Sequence, residues 1–259
     1  MPQARKRFGQ NFLQDGQVIA DIIACLAPKP NDRCVEIGPG LGALTFPLLK
    51  KVNVLETVEL DRDLIPLLLE KSKSVGQLHV YQGDVLTFDF HTLAHPPQKL
   101  RILGNLPYNI STPLIFHLLA QLDIIEDMHF MLQQEVVDRM AAPPNSKTYG
   151  RLSVMVQYHC QVESLFVIPP GAFLPAPKVY SKLVRLTPHV TKPDVVNNET
   201  VFAEIVRLAF NQRRKTIRNS LKDKISDAIF EKLSLSPLLR AENLTVRDYV
   251  NLANAWIES

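Results

Sequence analysis

Apolar and polar residues alternate along this chain with two periodicities, one typical of helices and one typical of strands. The apolar positions from Val18 to Leu26 recur at helical spacing, between a capping candidate at Asp15 and a proline at Pro28. Short apolar runs then alternate with helical patterns, which predicts strands at 34–37, 54–60, 78–81, 100–103 and 128–132 and helices at 43–50, 64–71 and 112–121. Strands that alternate with helices favour a mostly parallel sheet with helices on both faces.

The pattern changes after Val162. Two apolar runs, 165–168 and 179–186, flank a proline-rich loop and predict a hairpin at the edge of the sheet. The segment 188–200 has no periodicity and predicts a linker. The stretches beyond it with helical spacing are 201–224, 226–233 and 245–256. We therefore expect an α/β domain over 1–187, a linker over 188–200 and an all-helical domain over 201–259.

Composition excludes several classes of protein. Hydrophobic residues make up 46% and charged residues 21% of the 259 residues, which is ordinary globular usage rather than that of a disordered or fibrous chain. No apolar run approaches the roughly 20 residues that a membrane-spanning helix needs, and the N-terminus lacks the apolar stretch of a signal peptide. The three cysteines, Cys25, Cys34 and Cys160, form no CxxC pair. We expect reduced thiols, no zinc site, no membrane partner and a cytoplasmic protein.

Positive charge is concentrated in two places, although the net charge of the chain is only +3. Between Ile205 and Lys224 seven basic residues accompany one acid, a local net charge of +6. A second cluster, 5–7, stands beside Phe8 and Phe12. Clustered cations attract phosphate backbones, whereas either cluster alone is equally consistent with a solvated surface.

A glycine-rich turn follows the strand predicted at 34–37. Gly38 and Gly40 lie in a strand-to-helix turn of the kind that nucleotide-binding loops require, because glycine allows a tight turn and a close approach to the ligand. Glu59 falls near the end of the next strand, where its carboxylate could accept hydrogen bonds from both hydroxyls of a ribose. Together they indicate an adenosine-containing cofactor, without separating nicotinamide dehydrogenases from S-adenosylmethionine enzymes.

Two further motifs follow the third and fourth strands of the predicted sheet. Asp84, followed by Val85, could accept a hydrogen bond from an adenine amino group or could cap a turn, and both interpretations stay open. The sequence 105–108, Asn-Leu-Pro-Tyr, matches the Asn-x-Pro-Tyr signature of methyltransferases that modify an exocyclic amino nitrogen. The alternative for these four residues is an Asx turn followed by a proline.

The chemistry of amino methylation explains each position of this motif. The amino nitrogen of adenine is a poor nucleophile because its lone pair is delocalised into the ring. The Asn105 side-chain oxygen and the Leu106 carbonyl can accept its two hydrogens and favour a tetrahedral nitrogen whose lone pair faces the methyl donor. Pro107 fixes the turn, and Tyr108 offers a ring for an unstacked base. In the proline-rich loop we expect Phe173 to be exposed and to stack, the alternative being a ring that fills the base of the hairpin.

Over nearly its whole length the chain resembles the ribosomal RNA adenine dimethyltransferases, in particular the bacterial small-subunit enzymes. The matching stretches are 10–13, 36–42, 59–61, 83–84, 104–108, the 173–179 motif Phe-x-Pro-x-Pro-x-Val and the helix 209–218. The resemblance implies a Rossmann-like, S-adenosylmethionine-dependent methyltransferase fold with a mostly parallel seven-stranded sheet in 1–187, and a small helical domain that contacts rRNA.

The resemblance also implies the cofactor, the site residues and the substrate. S-adenosylmethionine would be converted to S-adenosylhomocysteine without a metal, and its pocket would contain Asn11, Leu13, Gly38, Gly40, Glu59, Asp84, Val85 and Asn105. Phe173 would clamp the flipped adenine opposite Tyr108. The residues expected to contact RNA are Arg5, Lys6, Arg7, Arg213, Arg214, Lys215, Arg218 and Lys222.

The implied reaction is dimethylation of N6 of two adjacent adenines in the hairpin loop near the 3′ end of 16S rRNA. We expect a monomer that acts on a precursor 30S subunit late in its biogenesis. The alternatives are a 23S rRNA adenine methyltransferase of the macrolide-resistance type, a non-catalytic ribosome-assembly factor with the same fold, and a nicotinamide dehydrogenase.

Overall fold

The computed structural model describes residues 11–258, which divide into two compact units. The first unit runs to Val137 and resumes over Glu163–Pro188, and the second comprises Asp138–Val162 and the chain from His189 onward. The boundary after Pro188 lies next to the predicted one, whereas residues 138–162, predicted to be part of the α/β domain, belong to the second unit. The assignment of catalysis and RNA contact to separate domains stays a prediction.

A seven-stranded sheet forms the centre of the first unit. Its strands are β2 Arg33–Ile37, β3 Val54–Glu59, β4 Gln77–Gln82, β5 Leu100–Asn105, β6 Ile125–Gln133, β7 Cys160–Ile168 and β9 Ser181–Pro188. Their order is β4-β3-β2-β5-β6-β9-β7. The five strands from β4 to β6 are mutually parallel, and β9 runs antiparallel to β6. The predicted mostly parallel sheet is therefore confirmed, and the two strands that flank the proline-rich loop, β7 and β9, are neighbours at its edge, as predicted.

The sheet is buried because its central strands carry apolar side chains on both faces. Cys34, Val35 and Ile37 of β2 are almost fully buried, as are Ile102 and Leu103 of β5. Near-continuous apolar strands of this kind are typical of parallel sheets covered on both faces. The neighbouring helices are α1 Gly16–Leu26, α2 Thr45–Leu49, α3 Ile65–Ser72, α4 Ser111–Leu119 and α5 Gln134–Met140. Asp15 caps α1 by accepting hydrogen bonds from the backbone N–H groups of Gln17 and Val18, as its position predicted.

A second, two-stranded sheet joins the start of the described chain to the proline-rich loop. β1 Phe12–Leu13 pairs antiparallel with β8 Phe173–Leu174, so that Leu13 lies opposite Phe173. The Phe173 side chain is 4% exposed and belongs to the same apolar core as Leu13, Ala172 and Leu183. The expectation that Phe173 is exposed is therefore wrong: pairing with a segment about 160 residues away in the sequence places its ring in the core.

The second unit is built from helices. They are α6 Arg151–His159, α7 Glu199–Asn211, α8 Ile217–Leu221, α9 Asp227–Lys232 and α10 Val246–Ile257. Tyr158 of α6 packs on Phe202 of α7, with ring centroids 4.5 Å apart. The stretch 201–224, whose spacing is helical throughout, contains two helices, because α7 ends at Asn211 and α8 begins at Ile217. The helix expected over 209–218 is therefore wrong: the backbone N–H of Ile217 bonds to the carbonyl of Leu239 instead of to the preceding turn. In the part of the chain that the structure describes, no helix has the length and apolar character to span a membrane.

Candidate active site

A pocket opens at the carboxyl ends of the parallel strands, where α/β folds of this class bind their ligands. The loops after β2, β3, β4 and β5 line it, together with Asn11–Leu13 from the N-terminal segment. The predicted cofactor residues that line this pocket are Asn11, Leu13, Gly38, Gly40, Glu59, Asp84, Val85 and Asn105. Leu106, Pro107 and Tyr108 also line it, whereas Phe173 is absent from its wall. With Met131 of β6, the fold thus gathers residues from six separate segments of the sequence.

Glu59 connects the glycine-rich loop to the end of β3. One of its carboxylate oxygens accepts a hydrogen bond from the backbone N–H of Gly40 at 3.1 Å, and the other accepts from the N–H of Asp61 at 2.8 Å. Burial raises the pKa of Glu59, and these backbone donors oppose that rise. Since each oxygen has a second lone pair, the carboxylate can accept further hydrogen bonds from ribose hydroxyls.

Gly40 packs closely against the N-terminal segment. Its φ is +55°, in the left-handed region, and a Cβ atom here would lie 3.2 Å from the ring of Phe12. A side chain at this position would therefore strain the backbone and displace Phe12. The glycine is needed both for the turn and for this contact.

Glu36 lines the pocket but is not among the site residues predicted from the sequence. Its side chain is 2% exposed, and one carboxylate oxygen accepts a 2.6 Å hydrogen bond from the hydroxyl of Thr45. Burial raises the pKa of Glu36 to about 7, and the nearby charge of Glu59 acts in the same direction. The sequence does contain a sign of this role: Glu36 is an acid within an apolar strand, where burial of an unpaired carboxylate is energetically costly.

Asp84 stabilises a turn, which is one of the two interpretations that the sequence left open. Its Oδ1 accepts a 2.9 Å hydrogen bond from the backbone N–H of Leu86, which stabilises the turn after β4. The residue also lines the pocket. The neighbouring Val85 is 7% exposed and contributes an apolar part of the wall. An adenine-binding role for Asp84 stays a prediction that is compatible with its role in the turn.

Asn105 ends β5 and is oriented by the N-terminal segment. Its Nδ2 donates a 2.9 Å hydrogen bond to the carbonyl oxygen of Asn11, 94 residues earlier in the sequence. The amide nitrogen is therefore engaged with the backbone, and the side-chain oxygen is the group left to accept a hydrogen bond from a ligand. The backbone N–H of Leu106 donates to the carbonyl of Met131 at 3.2 Å, which holds this peptide against β6.

Pro107 and Tyr108 form the turn into α4. The Pro107 carbonyl accepts hydrogen bonds from the backbone N–H of Ile110 and from the hydroxyl of Ser111. The Tyr108 hydroxyl lies 2.8 Å from the hydroxyl of Ser181, the first residue of β9. Burial raises the pKa of Tyr108, so the phenol stays protonated at neutral pH. This hydrogen bond holds the ring in one orientation at the pocket.

The predicted RNA-contacting residues have different surroundings. Arg5, Lys6 and Arg7 lie outside the described residues. Arg213 donates hydrogen bonds to the carbonyls of Lys147 and Tyr149 and to the Glu242 carboxylate, at 3.0–3.1 Å. Arg218 forms an ion pair with Asp227. The basic candidates with exposed side chains also include Arg214, Lys215 and Lys222. Arg213 therefore has a structural role in the second unit, whatever else it contacts.

Within residues 11–258 no group of three or more His, Cys, Asp and Glu side chains is arranged to hold a metal ion. His129 is buried, and its Nε2 accepts a 2.9 Å hydrogen bond from Arg185. Burial lowers the pKa of His129 to about 4, which keeps the ring neutral at physiological pH. It is a packed histidine.

Comparison with known proteins places this site in context. A family model described as "Ribosomal RNA adenine dimethylase" matches residues 1–258. The chain is 55% identical over 256 residues to "Ribosomal RNA small subunit methyltransferase A" of Marinomonas sp., covering 99% of this chain and 96% of that protein. It is 54% identical over 252 residues to the protein of the same name from Pseudomonas fluorescens, covering 97% and 93%.

Solved structures share the fold. A dimethyladenosine transferase from Plasmodium falciparum is 26% identical, with a TM-score of 0.78 over 93% of this chain and 95% of that one. The 23S rRNA methyltransferase ErmE is 24% identical, with a TM-score of 0.73 over 96% and 100%. The predicted fold class is confirmed by both.

Proposed function

Because this chain belongs to the ribosomal RNA adenine dimethylase family, we propose that it dimethylates N6 of two adjacent adenines in the hairpin loop near the 3′ end of 16S rRNA. The chain is thus a methyltransferase of ribosomal RNA. We place its action on a precursor 30S subunit in the cytoplasm, late in subunit biogenesis, and expect it to act as a monomer. The small-subunit relatives at 55% and 54% identity support this substrate over 23S rRNA.

The orientation of Asn105 is the observation that carries the proposal. With its Nδ2 bonded to the Asn11 carbonyl at 2.9 Å, the side-chain oxygen is the group available to accept one N6 hydrogen of adenine. The Leu106 carbonyl is the second proposed acceptor. Two fixed acceptors would draw the nitrogen lone pair out of conjugation and direct it toward the methyl donor, at no reorganisation cost during the reaction.

The pocket fits S-adenosylmethionine by the chemistry of its polar groups. Glu59 offers a buried, backbone-anchored carboxylate for the ribose hydroxyls, and Asp84 offers a second acceptor at the wall for the adenine amino group. Gly38 and Gly40 let the backbone approach the ligand, and Leu13 and Val85 provide apolar contacts. When bound, this cofactor supplies an electrophilic methyl group on a sulfonium.

The reaction needs no general base from the protein. A methylated amino nitrogen is acidic enough to lose its proton to water. Tyr108 is unsuited to that role, because burial raises the pKa of its phenol and its hydroxyl is hydrogen-bonded to Ser181. Tyr108 instead presents its ring to the flipped base. The basic residues of the second unit, with Arg5, Lys6 and Arg7, would contact the RNA backbone.

Transfer of radiolabelled methyl groups from S-adenosylmethionine tests this function. Unmethylated small subunits should be labelled on adenine N6, and naked 16S rRNA and large subunits serve as comparisons. Asn105→Ala should reduce the rate by on the order of 10²–10³-fold. Asn31→Ala, an exposed asparagine before β2, is the matched control and should leave the rate unchanged.

Each alternative predicts a different result. Label in 23S rRNA alone would favour the macrolide-resistance type, and an unchanged rate for Asn105→Ala would contradict the role of this residue in catalysis. Tighter binding of NAD than of S-adenosylmethionine in calorimetry would favour a dehydrogenase. Binding of small subunits without any methyl transfer would favour an assembly factor.

A further inference from the structure

Tyr180 is an exposed aromatic residue next to the candidate active site. Of the Phe, Tyr and Trp side chains in residues 11–258 it is the most exposed, at 53%. It directly precedes Ser181, whose hydroxyl lies 2.8 Å from that of Tyr108. The Tyr180 carbonyl accepts a 3.0 Å hydrogen bond from the backbone N–H of Gln134, the first residue of α5, which directly follows β6. The backbone of Tyr180 is therefore held at the sheet edge where the pocket opens.

The charge around Tyr180 suits a polyanion. The segment 169–186 contains three basic residues and no acid, and Lys178, two residues before Tyr180, has an exposed side chain. Arg185 is engaged with His129 and Glu163. An exposed ring beside an exposed lysine combines a stacking surface with phosphate attraction, the combination that binds single-stranded nucleic acid.

Packing does not explain the position of this ring. Phe173, the other aromatic residue of the proline-rich loop, is 4% exposed and fills the core, so Tyr180 supplies the exposed aromatic surface of this loop. Extrusion of a target base from a loop also leaves the neighbouring base without its stacking partner. Tyr180 directly precedes Ser181, which contacts the pocket residue Tyr108, so its ring can replace the stacking partner that the neighbouring base has lost.

We propose that Tyr180 stacks on the nucleobase adjacent to the target adenine and positions the RNA strand at the pocket. This inference rests on the proposed function. Tyr180 is a positioning residue: it holds the neighbouring nucleotide, while Asn105 and Tyr108 contact the reacting base. The two aromatic rings then hold successive bases of one strand, Tyr108 the extruded one and Tyr180 its neighbour.

Steady-state kinetics on unmethylated small subunits, with the full chain, test the proposal. Tyr180→Ala should raise KM for the subunit by on the order of tenfold, the typical effect of losing one stacked base, with kcat changed much less. Tyr180→Phe and Tyr180→Trp keep the aromatic face and should stay within about twofold of the parent chain. The matched control is Leu69→Ala, another exposed apolar side chain of the first unit, which should leave both constants unchanged.

A second arm identifies the contacted base. Small subunits reconstituted with uridine in place of the neighbouring adenosine offer less stacking surface. The substitution should therefore raise KM of the parent chain by a larger factor than it raises KM of Tyr180→Ala. Methyl transfer is counted on the remaining adenine, and the affinity for S-adenosylmethionine, measured by calorimetry, should be the same for all variants.

The remaining outcomes overturn the inference. Tyr180 does not stack on RNA if Tyr180→Ala keeps KM within twofold of the parent value, or if Tyr180→Ala and Tyr180→Phe raise KM equally. The same conclusion follows if the effects of Tyr180→Ala and of the uridine substitution on KM are additive in free energy, or if Tyr180→Ala also weakens binding of S-adenosylmethionine. If the parent chain itself transfers no methyl group to small subunits, the proposed function fails and the inference fails with it. Activity of the parent chain therefore separates the two failures.

Discussion

The ionisation of Glu36 should be measurable in the stability of the protein. The side chain is 2% exposed, and burial raises its pKa from the ordinary value of 4.5 to about 7. Between these values the folded protein retains a proton that the unfolded chain has released. The contribution of Glu36 to stability is therefore fully present below about pH 4.5, declines as the pH rises, and is lost above about pH 7.

Glu36→Gln removes this pH dependence while keeping an oxygen that can accept the hydrogen bond from Thr45. The interval from 4.5 to about 7, at about 1.4 kcal/mol per pH unit, corresponds to a difference of about 3 kcal/mol. Relative to the parent chain, we expect the variant to gain up to about 3 kcal/mol in unfolding free energy between about pH 4.5 and about pH 8.

Urea unfolding at about pH 5 and about pH 8 measures this difference. The control is Glu126→Gln on β6, an exposed acid whose replacement should change stability little and equally at both pH values. A stability difference between Glu36→Gln and the parent chain that is the same at both pH values would refute the raised pKa of Glu36, and so would the same change with pH in the control.

Three further predictions concern the packing of Gly40, the ion pair between Arg101 of β5 and Asp127 of β6, and the contact of Lys215 with RNA. Gly40→Ala should lower the unfolding free energy by about 1–2 kcal/mol and weaken cofactor binding, because φ is +55° and a Cβ would meet Phe12; unchanged affinity in calorimetry would contradict the packing. Arg101→Met should cost about 3–5 kcal/mol in thermal or urea unfolding, because it leaves the buried Asp127 and the half-buried Asp32, each 2.7 Å from the guanidinium, without their cation; a loss below about 1 kcal/mol would refute this. Lys215→Ala should weaken rRNA binding and lower the slope of log affinity against log salt by about 1, as measured by filter binding; an unchanged slope would show that this lysine does not contact phosphate.

Local patterns were sufficient for most of the fold and for the residues that line the pocket. The spacing of apolar residues in a strand or a helix depends on which face of that element is buried, and neighbouring residues are enough to show this spacing. The glycine-rich turn, Glu59, Asp84 and Asn105 could be predicted because the carboxyl ends of parallel strands meet at one edge of a sheet, so that order along the chain implies proximity.

The errors share one cause, which is a contact between segments far apart in the sequence. Phe173 is buried because β8 pairs with β1. The helix expected over 209–218 is interrupted before Ile217, where the chain bonds to Leu239 and Arg240. The spacing of apolar residues cannot predict such contacts, because the stabilising partners lie in distant parts of the sequence.

The sequence by itself determined the fold class, the edge at which the pocket lies and the residue types available for amino methylation. Only the tertiary structure decided how those residues are oriented: the bond from Asn105 to Asn11, the contact of Tyr108 with Ser181 and the burial of Glu36 against Thr45. The physical reason is that hydrophobic periodicity is a property of neighbouring residues. The direction of a hydrogen bond and the desolvation of a charge depend on atoms that only folding brings together.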